Sequence, residues 1–159
     1  MIEYENISHI ALEVTDLDRA AQFYGEVLGM DIIHRDQGEL GQGRIVLRNG
    51  SGQLLLLEKV DALAPRSRFC GPDKNKVPDP DSAPRYSGAH LAMSVGSVQE
   101  YDEVFARLSR SGVFMEGDIL AKERAPGEKS VYFYDPFGNR LQLIILGAAN
   151  QRSASSVVR

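Results

Sequence analysis

The chain repeats itself. His9-Ile10-Ala11-Leu12-Glu13-Val14 and His90-Leu91-Ala92-Met93-Ser94-Val95 both run His, apolar, Ala, apolar, polar, Val, at an offset of 81. A chain built from two similar halves must use one supersecondary unit twice, and this constrains its fold more than any other feature. Strict alternation makes each segment a half-buried strand. Ile10, Leu12 and Val14 share one face, as do Leu91, Met93 and Val95. His9, Ala11 and Glu13, like His90, Ala92 and Ser94, lie on the other, so both histidines look away from the layer their strand packs on.

Each strand runs into a helix with readable ends. Thr15 or Asp16 serves as N-cap of the first, Leu17, Ala20, Ala21, Tyr24 and Leu28 recur at helical spacing, and Gly29 is a natural stop. In the second copy Ser97 and Glu100 form a capping-box pattern, with Val98, Tyr101, Phe105 and Leu108 as the stripe and Gly112 as the stop. Three short apolar runs follow each helix. They are Met30–Arg35, Gly43–Arg48 and Gln53–Lys59 in the first half, then Val113–Glu116, Ser130–Tyr134 and Arg140–Leu146 in the second. Asn49-Gly50-Ser51-Gly52 and Asp135-Pro136-Phe137-Gly138-Asn139 supply the turns. Each half reads β-α-β-β-β, which places the chain in the α+β class. The expected organisation is a first module at 1–59, a connector at 60–87, a second module at 88–147 and a loose tail at 148–159. Halves of about 60 residues bury too little alone, so the two are expected to close on each other. Val60–Ser87 holds five of the seven prolines and no apolar periodicity, the pattern of a functional lid or a disordered loop.

Composition narrows the function. Net charge is −4, with no basic field for nucleic acid. The longest apolar runs, Leu54–Leu57 and Leu143–Leu146, fall far short of the ~20 residues of a membrane helix. Met1-Ile2-Glu3-Tyr4-Glu5 is acidic and lacks a signal-peptide pattern. Cys70 is the single cysteine and cannot form an internal disulfide. A cytoplasmic protein that works on a small molecule is expected, with no nucleic-acid or membrane partner.

The repeat also directs attention to four polar residues. His9 and His90 open the halves, Glu58 follows four leucines in the last strand of the first half, and Gln142 lies in the last strand of the second, 84 residues on. Two imidazoles, a carboxylate and an amide oxygen make an N2O2 set suited to Zn, Ni, Co, Mn or Fe(II). One histidine on a strand is usually a hydrogen-bonded or surface residue, and Glu58 and Gln142 each have an ordinary explanation. The coincidence of four in a repeat favours the joint reading. His34 has no match in the second copy and reads as surface.

At this point the chain resembles a known family. His9-Ile10-x-Leu12-x-Val14, then Ala20-x-x-Phe23-Tyr24 and Leu28-Gly29-Met30, is similar to the opening of glyoxalase I. More broadly it resembles the vicinal oxygen chelate superfamily of glyoxalases, methylmalonyl-CoA epimerases, fosfomycin-resistance thiol transferases, extradiol dioxygenases and bleomycin-resistance proteins. Gly88-Ala89-His90-Leu91-Ala92 and Tyr132-x-x-Asp135-Pro136-x-Gly138-Asn139 extend the likeness across Asn6–Leu146, the loop excepted. The resemblance implies paired β-α-β-β-β modules forming a cup-shaped mixed sheet around a metal, with the helices outside, and commonly a homodimer. Its four ligand positions map onto His9, Glu58, His90 and Gln142. Gln142 stands where a Glu, often the catalytic base, is commonest, which would pass that role to Glu58.

Departures separate the branches. Glu13 stands where glutathione glyoxalases place an Arg for the thiol's carboxylate, so a glutathione substrate is disfavoured. Glu123, Arg124 and Ala125 stand where extradiol dioxygenases need a further His. Fosfomycin transferases, like dioxygenases, use a Glu at the Gln142 position. The resemblance therefore implies a metal-dependent lyase or isomerase that acts on a small α-oxygenated carbonyl compound through an enediolate. Its rival is a non-catalytic protein of the bleomycin-resistance kind, holding an apolar or aromatic ligand against Tyr132, Phe133 and Tyr134.

Overall fold

The computed structural model describes residues 8–38, 43–63, 90–116 and 128–145. Cys70, the connector beyond Leu63, Glu123–Ala125 and the tail lie outside them. The chain divides into two compact units, Met1–Pro65 and Arg66–Arg159.

The first unit carries β1 (His9–Val14), a helix, β2 (Asp31–Asp36), β3 (Arg44–Arg48) and β4 (Leu54–Lys59). The sheet order is β1-β4-β3-β2, with β1 parallel to β4 and the other pairs antiparallel. This is the mixed four-stranded sheet expected of a β-α-β-β-β module. Asp16 caps the helix, its carboxylate accepting from the Arg19 N–H at 2.9 Å. α1 covers Leu17–Ala21 and then widens into a π-helical segment over Gln22–Val27, where the Leu28 N–H reaches back to the Phe23 carbonyl. Gly29 takes a positive φ of 74° and ends it, the conformation for which glycine carries no Cβ penalty. Leu17, Ala20, Phe23 and Tyr24 bury against Val14, Ile45, Leu47, Leu55 and Leu57, so one face of the sheet forms the unit's core.

The second unit repeats the plan: β5 (Leu91–Ser94), α2 (Val98–Ser111), β6 (Met115–Glu116), β7 (Lys129–Tyr134) and β8 (Arg140–Ile145), in the order β5-β8-β7-β6. The capping box forms. Ser97 Oγ accepts from the Glu100 N–H at 3.2 Å, while Glu100 Oε2 accepts from the Gly96 N–H and the Ser97 hydroxyl at 3.0 Å. Gly112 ends the helix at φ 72°. The buried stripe is narrower than the spacing suggests. Tyr101 and Leu108 are buried, whereas Val98 and Phe105 are exposed, Phe105 stacking on Tyr101 instead. The core face of this sheet is Val131, Phe133, Leu141, Leu143 and Ile145. Among the described residues no helix is long and apolar enough to cross a membrane.

Candidate functional site

In both units the face opposite the helix carries the polar residues, because alternation sends every second side chain there. The second unit's face is the richer. In the β5–β8 ladder Ala92 partners Gln142, which sets His90 diagonally beside it. His90 Nε2 lies 3.1 Å from Gln142 Oε1. The other end of the same amide, Nε2, donates to Ser130 Oγ at 2.7 Å, across the β7–β8 pair. Gln142 and Ser130 are 6% and 3% exposed, so the amide is held between two partners with little access to water.

A second network lies on the same face. Glu116 accepts from the Arg140 guanidinium at 2.7 Å and from the Tyr134 hydroxyl at 2.5 Å, and all three residues are buried. Burial, then the adjoining Glu116 carboxylate, push the Tyr134 hydroxyl well above the usual tyrosine range, so it remains a donor. Arg140 also sits 4.2 Å from the centre of the Tyr132 ring, and His90 meets that ring edge-to-face at 5.1 Å. Tyr132 thus joins the His90–Gln142 pair to the buried ion pair.

Asp135 fixes where β8 begins. Its Oδ1 accepts from the Phe137 and Asn139 N–H groups, Oδ2 accepts from the Asn139 amide, and Gly138 takes a φ of 80°. Asn49 builds the matching turn in the first unit, Oδ1 accepting from Ser51 and Gln53. Turn matches turn at an offset of 86, and both ladders agree: Ala11 partners Leu56 as Ala92 partners Gln142. The equivalence of Glu58 with Gln142 expected from sequence is therefore corrected. Leu56 occupies the matching position, and Glu58 corresponds to Ile144. A run of four leucines hides strand phase, because both faces are apolar; burial of Leu55 and Leu57, against half-burial of Leu54 and Leu56, reveals it.

His9 is exposed, with Ser8 Oγ 3.0 Å from its Nδ1, so its Nε2 points the other way around the ring. Glu58 is exposed on the same sheet face, opposite Glu13 and Arg44, four rungs past His9's partner Leu54 and about 13 Å along the strand. Phe133 lies in the core, whereas Tyr132 is half-buried on the polar face. Among the described residues no three His, Cys, Asp or Glu side chains gather closely enough to hold a metal. The donors that do meet are an imidazole and an amide oxygen. The two atoms share a 3.1 Å hydrogen bond, and both are of the kinds that bind a divalent metal. Ser130, Glu116 and Arg140 were not singled out from sequence, and Tyr134 was read only as a wall for a ligand. Arg140 alternates with Gln142 around Leu141, and that alternation was the available signal.

The Glyoxalase/Bleomycin resistance protein/Dioxygenase superfamily profile matches residues 6–143. A 2-epi-5-epi-valiolone epimerase from Actinomyces sp. is 27% identical over 169 residues, covering 96% of this chain and 86% of that protein. The fold is similar to the fosfomycin resistance protein FosX from Listeria monocytogenes, solved with Mn(II) and sulfate (TM-score 0.64, 21% identity, 95% of this chain and 99% of that one). It is also similar to a glyoxalase/dioxygenase from Nostoc punctiforme (TM-score 0.64, 24% identity, 89% and 91%). With two β-α-β-β-β units and a profile match across most of its length, the chain belongs to the glyoxalase/bleomycin resistance/dioxygenase superfamily.

Proposed function

We propose that this protein is a metal-dependent isomerase or lyase of the epimerase kind, which moves a proton at the carbon beside the carbonyl of a small α-oxygenated substrate. The observation that carries the reading is the His90–Gln142 donor pair, braced by Ser130 on a polar sheet face. His9, His90 and Gln142 are the proposed ligands of a Zn, Ni, Co, Mn or Fe(II) ion. When bound, such an ion supplies Lewis acidity to the oxyanion that develops as the proton leaves. Leu56 stands in the first unit at the position matching Gln142. Glu58, one step beyond Leu56 on the same face, is proposed as the base. Glu13 faces the same side and disfavours a glutathione carboxylate. The superfamily relatives include a named epimerase, which supports proton transfer over oxygen or thiol chemistry. A cytoplasmic, homodimeric protein is part of the same proposal.

The test is solvent exchange. Metal-loaded protein is incubated in D2O with a panel of α-hydroxy ketones, and deuterium at the α-carbon is followed by NMR. At least one compound should exchange, and Glu58→Gln should slow that exchange about 100-fold or more while metal content is unchanged. Undiminished exchange in the variant removes Glu58 from the role; ligand binding by metal-free wild-type protein, with no exchange, favours the sequestration reading.

A further inference from the structure

We infer that Ser130 is a positioning residue, which orients the Gln142 side chain so that its oxygen rather than its nitrogen faces His90; this rests on the metal reading above. An amide has two chemically different ends, and only the oxygen can serve a hard or borderline cation. A carboxylate needs no such control, since either end is an oxygen. Where a chain uses glutamine, something must hold the NH2 end away. Ser130 has the right place for that. Its hydroxyl accepts the Gln142 Nε2–H at 2.7 Å, while Oε1 faces His90 and shares a 3.1 Å hydrogen bond with its Nε2.

The surroundings support a specific role. Ser130 is 3% exposed in a strand that continues Val131-Tyr132-Phe133-Tyr134, where a polar side chain needs a partner. It lies diagonally from Gln142 in the ladder, facing the same side, with Ile144 directly opposite. In the first unit, where Leu56 replaces Gln142, the position matching Ser130 is Arg44. The serine thus accompanies the amide and is absent where the amide is absent. Without the hydroxyl, the buried NH2 loses its acceptor, and the amide gains by turning it toward the imidazole.

The test is a double-mutant cycle read by Co(II) titration of metal-free protein, using calorimetry and the visible absorption of the bound ion. Ser130→Ala should weaken Co(II) binding about 10- to 100-fold, the range for loss of an outer-shell partner. Ser130→Thr, which keeps the hydroxyl, should bind within a few-fold of wild type. In a Gln142→Glu background, Ser130→Ala should cost less than about threefold, because a turned carboxylate still presents oxygen. Equal losses in both backgrounds would assign Ser130 a merely structural role, and no loss in either would also overturn the inference. Wild-type protein that binds no Co(II) would overturn the functional reading and this one with it.

Discussion

At the residue scale, the difference between the two sheets comes down to one exchange, Leu56 for Gln142. Leu56→Glu should place a carboxylate beside His9 as Gln142 stands beside His90, and tighten metal binding at least tenfold in a direct titration. Unchanged affinity would show that the first unit's ladder does not address the ion. The buried network makes a separate prediction. Arg140 and Glu116 are 4% and 8% exposed, so Glu116→Gln leaves a buried guanidinium without its counter-charge and should cost about 3–5 kcal/mol in urea unfolding. Tyr134 supplies the pH dependence. Its ordinary pKa is 10.0 and burial raises it in the folded chain, so the unfolded chain releases this proton first. Stability falls as pH rises past 10, and Tyr134→Phe should flatten that fall above pH 10. None of these partners was legible individually: Glu116 ends a two-residue strand, and its Arg140 is 24 residues away.

At the element scale, the turns set the strands' phase, and phase decides which residues meet. Asp135 receives three hydrogen bonds within its own turn, and Asn49 does the same work in the first unit. Both turns were readable, as were both helix caps, because their chemistry is local. The phase of Leu54–Leu57 was not, since hydrophobicity carries no sign of face when four consecutive residues are apolar. The widened turn after Ala21 was also hidden, as i→i+5 bonding has no composition of its own. Gly43 offers an element-scale test. A Cβ there would lie 2.6 Å from Leu17 Cδ1 and 2.7 Å from the Asp36 carbonyl, and the Gly43 carbonyl accepts the Lys59 N–H. Gly43→Ala must shift the start of β3, and it should lower the melting temperature by several degrees, equivalent to about 1–3 kcal/mol.

At the scale of the whole molecule, the repeat made the architecture legible: two histidine-led strands fixed the β-α-β-β-β plan, and both sheets carry it. Duplication left the modules with unequal polar faces. The second has the His90–Gln142–Ser130 chain and a buried ion pair; the first has exposed His9 and Glu58 around half-buried leucines. Alternation could say which face is polar, but not which side chains on it meet. The central claim is that His90 and Gln142 act as a donor pair for a divalent ion. Elemental analysis of purified protein, wild type beside His90→Ala, tests it most directly. The account predicts about one equivalent of a divalent transition metal in the wild type and less than a tenth of that in a folded His90→Ala protein. Full metal content in the variant would contradict it.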